Sequence, residues 1–284
     1  MPFARREEVK IHWESTGARE APVLLIMGLG MTATGWWRTV PVLAERFRVL
    51  AFDNRGVGRS GRPPGPYTVS RMADDAVGVL DAAGEASAHV YGISLGGMIA
   101  QELALRHPGR VRRLVLAATT PGGSHAVPPD PETLAFFERR ALMPAEEAVW
   151  ASVPYNYASR TRRECGRRIA EDIAQRLKFP VEPDSYRAQL AAALQHDAYH
   201  RLDQIRTPTL IVHGEEDRMV HPANARLLAD RIPASQLWIL PSSAHLLFTD
   251  DQRIDGAILR FLDGVGTEPD LWPPRSRVES AARE

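Results

Sequence analysis

His89-Val90-Tyr91-Gly92-Ile93-Ser94-Leu95-Gly96-Gly97 decides how this chain folds. It reads as a short apolar strand, then Gly-x-Ser-x-Gly, then a helix over Leu95–Arg106 that stops before His107-Pro108-Gly109. A strand turning this sharply into a helix pushes the serine hydroxyl above a sheet edge and strains its backbone. Neighbouring chain passes so close that a Cβ two residues either side of the serine would clash, and glycine avoids this. The helix N-terminus then aims free N–H groups and its positive dipole end at any oxyanion forming there. Ser94 is the candidate nucleophile.

Outward from this turn, short runs of valine, leucine and isoleucine alternate with segments of helical period, the pattern of a mostly parallel sheet flanked by helices. The apolar runs predict strands over 9–13, 23–27, 49–52, 89–91, 111–117, 209–213 and 237–240. Helices are expected over 34–46, 70–83, 95–106, 222–231 and 250–262. Between Pro121 and Asp203 the rhythm breaks: Pro-Gly-Gly and Val-Pro-Pro-Asp-Pro turns lead into helical segments without a strand signal. The expected fold class is therefore α/β, with core over 1–120 and 204–263, a helical cap inserted over 121–203, and a loosely packed tail over 264–284.

A serine hydroxyl is a weak nucleophile at neutral pH and needs a general base, itself oriented by a third group. Asp217 and His245 each follow an apolar strand, in Leu210–Asp217 and Ser242-Ser243-Ala244-His245, so both would emerge at the carboxyl edge of the sheet. Glu215 or Glu216 could serve as the acid instead, while Asp197, Asp203, Asp250 and Asp251 do not directly follow a predicted strand. The strand over 23–27 enters a Gly28-Leu29-Gly30 loop that lacks the third glycine of a dinucleotide fingerprint. Asp53-Asn54-Arg55-Gly56-Val57-Gly58-Arg59-Ser60 is a tight turn, and no Gly-Lys-Ser follows it to cradle phosphate.

With these motifs the chain resembles the α/β-hydrolase superfamily over roughly residues 9–263. The resemblance implies the order serine, acid, histidine, carried by Ser94, Asp217 and His245. It also implies an oxyanion hole from the backbone N–H groups of Leu29 and Leu95. Members usually carry His-Gly where this chain has Met27-Gly28; the donor is main chain, so Leu29 still qualifies, but methionine removes a polar anchor for the loop. The turn at Asp53–Ser60 looks like the family's Asp-x-Arg-Gly-x-Gly-x-Ser, with Asp53 and Arg55 expected to brace neighbouring loops.

The whole-chain pattern looks most like the enol-lactonase and aclacinomycin-methylesterase-like branch. That resemblance implies a serine esterase or lactonase working through an acyl-enzyme, without cofactor or metal. Carbon–carbon bond hydrolysis and cofactor-free perhydrolysis use the same triad, and a non-catalytic small-molecule receptor is the alternative from another class. Dehalogenase and epoxide-hydrolase readings are disfavoured because their nucleophile is an aspartate where Ser94 stands.

Candidate pocket residues are Trp36, Trp37, Trp150, Tyr155, Tyr157, Leu246 and Leu247, although Trp36 and Trp37 cannot both face a pocket from one helix. His196 and His200 stand four apart, but no carboxylate completes a metal set, so a structural or surface role is expected. The arginine-rich stretch Arg160–Arg168 reads as a solvated helix face, and Cys165 within it as a passive thiol. The 284 residues balance 35 cationic against 35 acidic side chains, so charge favours neither nucleic acid nor a membrane surface. A small-molecule ester or lactone is the expected partner. No apolar run approaches the roughly 20 residues of a membrane span, and the N-terminus lacks a secretory signal, so a cytoplasmic location is expected. Oligomeric state is left open.

Overall fold

A computed structural model describes residues 3–6, 9–18 and 21–265 of the chain. Eight strands form one sheet: β1 (Phe3–Arg6), β2 (Val9–Thr16), β3 (Pro22–Ile26), β4 (Arg48–Phe52), β5 (Ala88–Ile93), β6 (Val111–Ala117), β7 (Thr209–Gly214) and β8 (Ser235–Leu240). Their spatial order is β1-β2-β4-β3-β5-β6-β7-β8, antiparallel at β1–β2 and β2–β4 and parallel throughout the rest. Side-chain alternation divides β3 between two cores, Leu24 and Ile26 on one face and Val23, Leu25 and Met27 on the other. Helices cover both faces, which is why the central strands read as continuous apolar runs.

The helices are α1 (Thr39–Leu43), α2 (Val69–Ala82), α3 (Leu95–Arg106), α4 (Pro131–Arg140), α5 (Ala145–Ala151), α6 (Val153–Asn156), α7 (Ser159–Glu164), α8 (Gly166–Arg176), α9 (Pro183–Leu194), α10 (Ala223–Arg231), α11 (Leu247–Asp250) and α12 (Ile254–Asp263). One expected helix is broken in two, and another begins four residues later than expected, at Ile254. The segment 34–46 is a 3₁₀ turn over Ala33–Trp36 followed by α1, which places Pro41 in a first turn where its missing N–H costs no helical bond. In the segment 250–262 the Asp251 carboxylate accepts the Arg253 N–H at 3.0 Å and favours a turn before the helix. Strand β1 was not expected; its exposed Arg5 suits the edge it occupies.

Helices α4–α9 and a 3₁₀ segment at Tyr199–Gln204 all lie between β6 and β7. The two ends of this insertion are pinned together, since Gly122 bridges Asp197 and the Ala198 N–H donates to the Pro121 carbonyl at 2.9 Å. Among the described residues no helix is long and apolar enough to cross a membrane. The expectation for the tail falls almost entirely outside the described residues.

Buried Asp255 on α12 accepts a hydrogen bond from the Thr39 hydroxyl at 2.9 Å, tying α12 to α1. Burial pushes its carboxyl up to about 7, against a smaller opposing effect of the Thr39 bond. The fold therefore holds this proton more tightly than the unfolded chain does. Stability is fullest below about pH 4 and falls as pH rises through 7, by about 4 kcal/mol for a shift of this size. Asp255→Asn should accordingly raise the thermal midpoint by several degrees at pH 8 and barely move it at pH 4. Equal shifts at both pH values, in melts followed by circular dichroism, would contradict this account.

Candidate active site

Ser94 sits between β5 and α3 with φ +57° and ψ −123°, a strained conformation for a residue bearing a Cβ. The flanking glycines permit it by close approach: a Cβ on Gly92 would lie 2.2 Å from the Gly96 carbonyl oxygen, and one on Gly96 would lie 2.0 Å from that of Ile26. No L side chain fits at either place. The Ser94 backbone is held from both sides, its N–H donating to the Ala117 carbonyl at 2.9 Å and its carbonyl accepting from the Thr119 hydroxyl at 2.7 Å.

The loop after β3 presses directly on this serine. A Cβ on Gly28 would meet the Ser94 Cβ at 3.1 Å and its Oγ would be 3.6 Å away, so the Leu29 amide is delivered beside the hydroxyl. The Leu29 and Leu95 N–H groups find no acceptor among the described residues. Met27 does not leave the loop unanchored. The Asn54 side chain donates to the Met27 carbonyl at 2.9 Å, and Gln189 accepts from the Gly30 N–H at 2.9 Å while donating to the Arg55 carbonyl at 2.8 Å. Asp53 accepts from the Ala33 N–H at 2.8 Å and Arg55 forms a buried two-pronged pair with Asp75 at 2.6 and 2.7 Å, so the turn at 53–60 braces its surroundings as expected.

His245 Nδ1 lies 2.9 Å from Asp217 Oδ2. The second Asp217 oxygen accepts the Met219 and Val220 N–H groups at 2.9 and 3.0 Å. Of the alternative acids, Glu215 is exposed and Glu216 accepts the Ser159 N–H at 2.7 Å, so neither is free to take this place. Asp250 instead ties the histidine loop to the insertion, accepting from the Ala244 N–H at 2.7 Å and the Ala158 N–H at 3.1 Å.

The sequence reading missed His213, whose Nε2 stands 3.0 Å from Asp217 Oδ2 and 2.9 Å from the Val220 carbonyl. Both partners are acceptors, so Nε2 carries the proton. A polar residue closing the buried apolar strand β7 was the available signal. Burial alone would raise the Asp217 carboxyl, but the His245 charge and the hydrogen bonds from His213 and His245 outweigh it and hold Asp217 well below the usual carboxylate range.

Ser94, His245, Leu29 and Leu95 border one cavity of about 270 Å³, enclosed between the carboxyl edge of the sheet and the insertion. A space of this size, lined mostly by apolar groups, suits a small organic molecule. Of the expected pocket residues only Leu246 lines it. Trp36 is instead buried in the core against Tyr91 and Phe248, at ring distances of 4.7 and 5.5 Å. Trp37 donates to Asp172 at 3.0 Å and Tyr157 to the same carboxylate at 3.3 Å, while Tyr155 stacks on Phe136 at 4.2 Å. Trp150 is 50% exposed, and Leu247 belongs to the core.

These aromatics knit the insertion together or to the sheet. Methionines and leucines, among them Met98, Leu134, Leu190 and Met219, together with Phe137, form the apolar part of the wall. His196 is buried at its edge, and burial lowers its ring to about 4; His200 packs edge-on against His125 at 4.9 Å.

The family model described as alpha/beta hydrolase fold matches residues 21–252. A protein named carbamate hydrolase RutD in Caulobacter sp. (strain K31) is 34% identical over 252 residues, covering 85% of this chain and 90% of that one. A poly(3-hydroxyalkanoate) depolymerase of Ectopseudomonas oleovorans is 32% identical over 243 residues, covering 85% and 84%. Among solved structures, the enol-lactonase from Burkholderia xenovorans LB400 is 26% identical with a TM-score of 0.80, over 94% of this chain and all of that one, 100%. Matched motif, strand order and relatives agree, and the chain belongs to the α/β-hydrolase family.

Proposed function

We propose that the protein is a serine hydrolase cleaving a carboxylic ester or lactone, with Ser94 as nucleophile, His245 as general base and Asp217 as the orienting acid. The observation that carries the reading is a strained serine at a strand–helix turn sharing a cavity with a histidine held on a buried aspartate. With Nδ1 turned to Asp217, His245 has Nε2 left to take the Ser94 proton. Ser94 Oγ attacks the carbonyl carbon, and the oxyanion is received by the Leu29 and Leu95 N–H groups. His245 then protonates the departing oxygen as the tetrahedral intermediate collapses to an acyl-enzyme. Water, deprotonated by the same imidazole, releases the acid. Residues 121–203 act as the cap that closes over the bound substrate and excludes bulk water.

The 34% identity with a protein named carbamate hydrolase supports a second reading, in which the same residues pass through a carbamoyl-enzyme. Both readings require a nucleophilic Ser94. A fluorophosphonate probe should add its mass to the peptide containing Ser94, and p-nitrophenyl acetate should be turned over with a burst. Labelling at any other residue, or none, would refute the assignment. Rates on a lactone, an acyclic ester and an alkyl carbamate separate the two readings.

A further inference from the structure

Arg140 and Arg176 close the helices α4 and α8, and both border the cavity that holds Ser94. They are only 7% and 9% exposed. Among the described residues neither pairs with a carboxylate, and the cavity wall contains no aspartate, glutamate or lysine. Arg176 donates to the Ser152 hydroxyl at 3.0 Å and to the Tyr157 hydroxyl, which itself donates to Asp172. Arg140 stacks over the Tyr186 ring at 4.5 Å, and its buried Nε has no acceptor.

A guanidinium offers five N–H donors, so most of the donors of this pair remain unused. The position at helix C-termini favours a cation only weakly. That is too weak to offset the cost of burying two guanidinium charges that repel each other without a carboxylate in direct contact with either. Burial pushes Arg176 down to about 10, with the Arg140 charge acting in the same direction and Tyr157 and Asp172 opposing it without offsetting it. A packing role would be served at lower cost by leucine or methionine.

We propose that the substrate carries a carboxylate, seated between Arg140 and Arg176, while its scissile ester or amide-like carbonyl lies at Ser94. The inference rests on the serine-hydrolase reading of the same cavity. It narrows the substrate to a short molecule with an acid function a few bonds from the cleaved group, matching a space of about 270 Å³. The planar forks of two arginines suit a carboxylate, which accepts paired N–H bonds.

The test compares monomethyl with dimethyl succinate, glutarate and adipate, using the full chain and the variants Arg140→Met, Arg176→Met and Arg176→Lys. For at least one chain length the half-ester should exceed its neutral diester in kcat/KM by roughly 10- to 100-fold, the range for hydrogen bonds to a charged group. That ratio should fall toward one in the methionine variants and partly recover with lysine. No preference at any length, or a preference that survives both methionine substitutions, overturns the proposal.

A second measurement needs no variant. At matched ionic strength, glutarate should raise the thermal midpoint of the wild-type protein and glutaramide should not; equal effects, or none, count against the anion site. If every ester is left intact and Ser94 takes no fluorophosphonate, the hydrolase reading has failed. The glutarate comparison then still decides the anion site independently.

Discussion

Ser94→Ala is expected to lower ester turnover by on the order of 10⁶-fold while leaving the fold intact. The size follows from the covalent route: without Oγ there is no acyl-enzyme, and the remaining groups can only polarise a carbonyl for slow attack by water. Alanine is also accommodated locally. The strained backbone at φ +57° is imposed by the Ala117 and Thr119 hydrogen bonds and the glycine approaches around it, and alanine keeps the same Cβ. Circular dichroism should therefore match the wild type, with no fluorophosphonate adduct. A variant that keeps more than about a thousandth of the wild-type kcat would remove Ser94 from the chemistry.

Asp217→Asn should cost about 10⁴-fold in kcat with little change in KM. Four donors converge on this carboxylate: His245 Nδ1 and His213 Nε2 on one oxygen, the Met219 and Val220 N–H groups on the other. An asparagine can satisfy only one of these pairs with its carbonyl. Keeping the backbone bonds turns its NH₂ toward both histidines, and His245 must then present a bare Nδ1 and carry its proton on Nε2. That tautomer cannot accept the Ser94 proton. Steady-state kinetics on a p-nitrophenyl ester decide the matter; a fall of less than tenfold would mean that Asp217 positions the loop and no more. Because His213 donates to the same oxygen as His245, it is a positioning residue in this scheme.

Some features were readable from the chain because they are local. Gly92-Ile93-Ser94-Leu95-Gly96 is dictated partly by a clash within one turn, at Gly92, and partly by the neighbouring strand end, which Gly96 must pass; its glycine spacing, like the short apolar runs of the strands, still shows in adjacent letters. The break in one expected helix and the late start of another were less visible, since they depend on Pro41 and Asp251 acting within segments of otherwise helical character. The loop at Met27 marks the boundary well. Its departure from His-Gly was plain, but its anchoring by Asn54 and Gln189 spans 27 and 159 residues of chain.

By itself, then, the sequence determined the α/β architecture, the sharp turn bearing Ser94 and the small set of acids and histidines at strand ends. Only tertiary structure decided that Asp217, and not Glu215 or Glu216, meets His245, and that His213 shares its oxygen. It also moved the aromatics Trp36, Trp37, Trp150, Tyr155 and Tyr157 off the cavity wall, and brought Arg140 and Arg176, which no local pattern singled out, to that wall from α4 and α8. The physical reason is range. A turn is constrained by neighbours a few bonds away, whereas which face of a helix meets a cavity depends on packing between elements far apart in the chain.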